Sequence, residues 1–188
     1  MKETRKTLQL IRHAKSSWQQ LGLSDIERPL NQRGKKSCQI MAQHIHALGS
    51  DLTNVYVSPA LRAQETIKRI FAHLQQLQEE QKAQHQALST EQAQWHTVEQ
   101  LYTFDSAVLR SFLQNQSPHC RAITLVGHNP ALTDLCNHLT NAYIDNIPTC
   151  GYVQLVANDE FAWSDIHDKS FTLQHFCTPK TRQQSEIR

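Results

Sequence analysis

The chain has 188 residues, and its 19 Lys and Arg nearly balance its 17 Asp and Glu, for a formal charge of +2. That length supports one domain with a real core, so residues 1–188 are expected to form a single unit. The balanced charge contains no long basic run and gives no footprint for nucleic acid. No apolar stretch approaches the roughly 20 residues of a membrane span, and the opening residues 1–6 show no signal-peptide core. Cys38, Cys120, Cys136, Cys150 and Cys177 are odd in number and form no Cys-x-x-Cys pair, which points to reduced thiols in a cytoplasmic protein.

Taken in chain order, residues 7–11 are a short apolar run that turns at once into Arg12-His13. It is too short for a helix and apolar enough for a buried strand. The segment from Arg28 to Gly34 reads as loop and cap structure, with Asn31 as N-cap and Gly34 weakening the first helical turn. Cys38, Met41, Ala42, Ile45 and Leu48 then fall at helical spacing. Residues 54–57 predict a second strand ending at Ser58, where Ser58-Pro59 reads as an N-cap followed by a proline at the first helical position. The helix that follows carries Ala63, Ile67, Ile70, Phe71, Leu74 and Leu77 on one face.

From 75 to 100 the chain is polar and holds nine glutamines, which predicts an overrun of this helix and then a solvated excursion. Residues 122–126 predict a strand ending at Gly127-His128, with Gly127 suiting a sharp bend. Asn129-Pro130 repeats the cap-and-proline pattern before Leu132, Leu135, Cys136 and Leu139. Two further strands, 152–157 and 171–176, are joined by a polar connection over 158–168, and the tail 179–188 is expected to be flexible. Alternating strands and helices predict an α/β three-layer sandwich, with a mostly parallel central sheet and helices on both faces.

In such a sheet, ligands bind at the carboxyl ends of the strands. Arg12, His13 and His128 stand there, and Arg62 lies in the first turn after its strand. A guanidinium can clamp phosphoryl oxygens in a planar fork, and an imidazole can attack phosphorus. Arg62 is poorly placed as a bare cation, because a helix start is already positive, and an anion between the two relieves the conflict. Lys15 is a further candidate for guiding a phosphate. His44 and His46 are two apart on a helix, and no His-Glu-x-x-His or Cys/His spacing occurs, so no metal ligand set and no cofactor are expected. The absence of a Gly-x-Ser-x-Gly elbow argues against serine hydrolysis.

These residues resemble the histidine phosphatase superfamily, of phosphoglycerate-mutase-like fold, and within it the compact SixA-type phosphohistidine phosphatases. The resemblance is carried by Leu-Ile-Arg-His-Ala-Lys-Ser-Ser-Trp at 10–18, Arg-Pro-Leu-Asn-Gln-Arg-Gly at 28–34, Val-Ser-Pro-Ala-Leu-Arg-Ala-Gln-Glu-Thr at 57–66, Leu-Tyr at 101–102, Leu-Val-Gly-His-Asn-Pro-Ala-Leu at 125–132 and Ile-Pro-Thr-Cys-Gly at 147–151. It implies that His13 becomes phosphorylated and that Arg12, Arg62 and a protonated His128 surround the phosphoryl oxygens. A general acid is the open position, for which Glu99 is a candidate and Asp105 a neighbour. The implied activity is a metal-independent phosphatase acting on protein phosphohistidine, such as a phosphotransfer domain. The alternatives are a small-molecule phosphomonoesterase and, in another class, a non-catalytic phospho-ligand or protein-binding module.

Overall fold

Six strands form one sheet in the order β3-β2-β4-β1-β5-β6. The computed structural model describes residues 5–20, 22–50, 52–85 and 94–181. The strands are β1 (Thr7–Arg12), β2 (Val55–Val57), β3 (Trp95–Thr97), β4 (Ala122–Gly127), β5 (Tyr152–Ala157) and β6 (Phe171–Cys177). β1 and β4 are parallel, as are β2 and β4 and β2 and β3, whereas β5 runs antiparallel to both β1 and β6. The sheet is therefore mostly parallel, as the alternation of apolar runs and helical patterns predicts.

The central strands are covered on both sides, which explains their near-continuous apolar sequences. Leu8 and Leu10 of β1, with Ile123 and Leu125 of β4, face a core built from helices α3 (Ser106–Gln114) and α4 (Ala131–Leu139). Ile11 and Val126, with Val55 and Val57, face α1 (Gln32–Ala47) and α2 (Leu61–His85) on the other side. The α1/α2 layer rests on residues read at helical spacing: Cys38, Met41, Ala42 and Ile45 of α1 are fully buried, as are Ala63, Ile67 and Ile70 of α2. Burying one such large apolar side chain is worth roughly 1.5–3 kcal/mol.

Several local expectations change. The stretch 75–100 contains strand β3 after the helical overrun, because Trp95 half-buries against Phe71, with ring centroids 5.9 Å apart, and donates its indole N–H to Gln64 Oε1 at 3.0 Å. Residues 86–93 of that stretch, and 182–188 of the tail, lie outside the described residues. Helix α3 has no counterpart in the expected elements. It buries Leu109 and Leu113, and its N-cap is Asp105, whose carboxylate accepts from Ala107 N–H at 2.8 Å. The connection after β5 is not simply polar: Trp163 is fully buried there and donates to the Cys120 carbonyl at 2.8 Å.

The caps divide as well. Asn31 does cap α1, accepting from Gly34 N–H at 2.8 Å. Gly34 is required for space, since a Cβ there would meet the Lys15 carbonyl oxygen 2.2 Å away. Gly127 has no such need: a Cβ would make ordinary contacts, the nearest at 3.6 Å. Neither proline starts its helix as expected. α2 begins at Leu61 and α4 at Ala131, so Ser58 and Asn129 stand before the helices with side chains turned to other partners.

Candidate active site

Two strand ends meet at the carboxyl edge of the sheet. His13 follows β1 directly and donates its backbone N–H to Gly127 O at 3.0 Å, at the end of β4. Its own carbonyl accepts from Cys150 N–H at 3.1 Å, ahead of β5. The next residue is tied to α2, because Ala14 N–H donates to Thr66 Oγ1 at 2.9 Å and that hydroxyl donates to the Arg62 carbonyl at 2.6 Å. Strand end and helix start are thus one unit. His128 follows β4 in the same way, and the two imidazole centroids lie 5.0 Å apart.

The tautomers follow from the partners, because a carbonyl can only accept and a guanidinium can only donate. His13 Nδ1 is 2.8 Å from the Ala14 carbonyl, so Nδ1 carries the proton and Nε2 keeps its lone pair. His128 Nδ1 is 3.5 Å from Arg62 Nη2, so its proton sits on Nε2, which donates to Ser58 Oγ at 2.7 Å. Burial, with nearby arginines adding to it, lowers the His13 pKa to about 4, and burial with His13 and Arg62 lowers that of His128 to about 3. The site on its own therefore holds two neutral rings at pH 7, and a protonated His128 is not what these surroundings favour.

Arg12 and Arg62 frame the pair. Arg12 Nη1 donates to Ile147 O at 2.7 Å and Asn146 Oδ1 at 3.1 Å, while its buried Nε has no partner among the described residues. Asn129, expected as a cap, instead donates to Asn146 Oδ1 at 2.8 Å and Ile147 O at 3.0 Å. It braces the loop that holds Arg12. Arg62 is only 4% exposed in the first turn of α2. Its Nη2 pairs with Asp25 Oδ2 at 2.8 Å, and its Nη1 donates to the Asp25 carbonyl.

Asp25 is the residue that the sequence reading missed. It starts a 3₁₀ turn, Asp25–Glu27, and its carboxylate also pairs with Arg28 at 2.8 Å and accepts from the Tyr102 hydroxyl at 2.8 Å. Burial works to raise its pKa, but hydrogen bonds from Tyr102, Arg28 and Arg62 outweigh that and hold it at about 2. Arg28 is more than loop structure, because it also donates to Ser17 O at 3.1 Å and Ser16 Oγ at 2.6 Å and lies over the Trp18 ring. A lone Asp in a polar loop carries no local sign of such a role. The tie to Arg62 spans 37 positions and exists only in the fold.

The structure thus brings together Arg12, His13, Arg62 and His128. Among the described residues Lys15 and Glu99 make no side-chain hydrogen bond or ion pair to them: both are exposed, and Glu99 lies in the 3₁₀ turn Glu99–Leu101 that leads to Tyr102. Asp105 is occupied as the cap of α3. Among the described residues, no group of three or more His, Cys, Asp or Glu could hold a metal ion, and no helix is long and apolar enough to cross a membrane.

Residues 8–83, which include Arg12, His13, Asp25 and Arg62, match the histidine phosphatase superfamily (branch 1). The chain is similar to that superfamily over those residues. It is 28% identical over 155 residues to an uncharacterised chloroplastic protein of Arabidopsis thaliana, a match covering 79% of this chain and 65% of the relative, so it spans just under two thirds of that protein. Its fold is shared with the protein histidine phosphatase SixA complexed with tungstate, with a TM-score of 0.69 at 17% identity over 92% of this chain and 97% of that one. A mycobacterial glucosyl-3-phosphoglycerate phosphatase has the same histidine phosphatase fold, with a TM-score of 0.62 at 11% identity over 90% of this chain and 97% of that one.

Proposed function

We propose that this chain is a metal-independent phosphatase that acts on protein phosphohistidine through a phosphorylated His13. The observation that carries the reading is the His13 ring itself. Its Nδ1–H is held by the Ala14 carbonyl, its Nε2 lone pair is free of a proton, and Arg12 and Arg62 are near enough to disfavour its protonation. A neutral imidazole is the nucleophilic form, and two guanidinium groups match a phosphoryl group that gains charge in the transition state. The unpartnered Nε–H of Arg12 gives one donor for a phosphoryl oxygen.

In the first step Nε2 of His13 forms the N–P bond, and the bond from phosphorus to the leaving group breaks with its electron pair. The Nδ1–H of phospho-His13 stays on the Ala14 carbonyl, which favours the cationic ring. Water then attacks phosphorus, the P–Nε2 bond returns its pair to His13, and one proton goes to solvent. His128 acts through Nδ1, which takes up a proton when the charge of a phosphoryl dianion arrives beside it. Exposed Trp18 and Phe104 rim this edge and suit a macromolecular substrate, such as a phosphotransfer domain, better than a closed small-ester pocket. SixA is a named protein histidine phosphatase of the same fold, which supports that choice. Five free thiols support a reducing compartment such as the cytoplasm.

The test is brief incubation with a labelled phosphohistidine protein, followed by acid and base treatment. The expected result is an acid-labile, base-stable adduct on the parent and none on His13→Ala, with both proteins binding tungstate. A His13→Ala variant with near-normal turnover would remove the covalent mechanism. Activity that disappears with chelator and returns with one divalent ion would remove metal independence.

A further inference from the structure

Asp25 puts a carboxylate at the mouth of a phosphate site, where an anion is expected to be a disadvantage. It is not a proton donor. Both of its oxygens already accept, Oδ1 from Arg28 and Oδ2 from Arg62 and Tyr102. The Tyr102 hydroxyl spends its proton on Asp25, and the His128 proton points at Ser58. Without a bound phosphoryl group, the groups around the two histidines thus present no acidic proton, and the one that His128 takes up with the dianion sits on Nδ1, which faces Arg62 and not Asp25. The Asp25 side chain is 46% exposed, whereas Arg62, through which it is tied to His128, is buried. The carboxylate therefore lies on the solvent side of Arg62. The rings of Tyr102 and Phe104 lie 5.4 and 6.3 Å from that of His128, so this oxygen pair and two aromatic edges border the same site.

Resting on the phosphohistidine reading above, we propose that Asp25 is the specificity residue for the leaving group: its arginine-paired carboxylate favours a planar ring that brings its own N–H, a protonated phosphoimidazole, over an ester oxygen. A phosphoimidazole protonated on its second nitrogen can donate that N–H to Asp25. When His13 Nε2 attacks, the P–N bond breaks with its pair on the departing nitrogen, and the ring leaves as neutral imidazole, needing no proton from the protein. An ester oxygen brings no N–H to the carboxylate and gathers negative charge beside a fixed anion as it leaves. The same carboxylate thus helps one class and hinders the other. The aromatic walls add stacking for a flat ring. The ionised state of Asp25, held by its hydrogen bonds, agrees with an acceptor role.

The experiment compares kcat/KM for phosphoimidazole and for an aryl phosphate in the parent, Asp25→Asn and Asp25→Glu, with tungstate affinity as a measure of Arg62 placement. We expect Asp25→Asn to lose about 10-fold or more on phosphoimidazole, the size of a lost charge-assisted hydrogen bond. Its rate on the aryl phosphate should fall clearly less, so that the preference shrinks, and Asp25→Glu should keep most of the parent's preference. A parallel loss on both substrates together with weaker tungstate binding would mean that Asp25 only positions Arg62, and the proposal falls. An unchanged preference in Asp25→Asn overturns it equally. If the parent itself cleaves the aryl phosphate but not phosphoimidazole, the substrate class of the proposed function falls along with it. A parent that prefers phosphoimidazole, with a preference indifferent to Asp25, sinks this inference alone.

Discussion

Arg62 owes its task to its place in the first turn of α2, where a buried cation faces the positive end of the helix dipole. Asp25 offsets part of that conflict with one carboxylate and one carbonyl, and a phosphoryl group offsets more. Geometry as well as charge is at stake, because Nη1, Nη2 and the approach to His128 Nδ1 all use one rigid plane. A lysine keeps the charge and loses the plane. We therefore predict that Arg62→Lys lowers kcat/KM by about 10-fold or more, on the order of 1.4 kcal/mol or above. Equal activity at the two side chains would reduce Arg62 to a source of background potential. At this scale the convergence of His13, Arg12, Arg62 and His128 was legible because each stands at or just after a strand end within a recognisable motif. Asp25, Ser58 and Thr66 were not, since their partners are dozens of positions away and their local sequences read as turns and caps.

Among the elements, the contact between α1 and the chain after β1 decides how firmly His13 is held. The backbone of Lys15 lies against Gly34, and Asn31 N–H donates to the Lys15 carbonyl at 3.0 Å. Two opposed effects act on a Gly34→Ala change. Helix propensity favours alanine by about 1 kcal/mol, but the added Cβ would stand 2.2 Å from a backbone oxygen that cannot turn away. The clash wins, and we predict a net loss of about 1–3 kcal/mol, read from the urea midpoint. Gly127→Ala serves as the contrast, because its Cβ meets only ordinary contacts and should cost less than Gly34→Ala. A Gly34→Ala protein as stable as the parent would show that α1 is free to move away from β1. Long periodic helices were readable in the sequence. β3 was not, because Trp95-His96-Thr97 is a three-residue strand without an apolar run, whereas α3 carries Val108, Leu109, Phe112 and Leu113 at helical spacing and was passed over although its signal is as good as that of the equally short α4.

For the whole molecule, the sheet carries its chemistry at the cost of holding two imidazoles neutral beside arginines. That cost has a pH signature. An unfolded histidine takes up a proton near pH 6.5, whereas folded His13 and His128 resist until about 4 and about 3. Between those values the unfolded chain binds more protons than the folded one, so stability must fall as pH falls. The contribution is fully present above pH 6.5 and is lost progressively on the way to pH 3, by at most about 1.4 kcal/mol per pH unit for each ring. Asp25 extends the same trend lower, between its ordinary 3.8 and about 2, as its bonds to Tyr102, Arg28 and Arg62 are protonated away. We therefore predict that the urea midpoint drops between pH 7 and pH 4, and that it drops less in a His13→Gln, His128→Asn double variant with neither ring to protonate. Tungstate should reverse the sign at His128, because its charge favours the protonated ring, so oxyanion binding should take up a proton. Calorimetry in buffers of differing ionisation enthalpy measures that uptake directly. Binding without proton uptake, together with a pH dependence identical in parent and double variant, would show that the buried histidines are not what links this fold to acid.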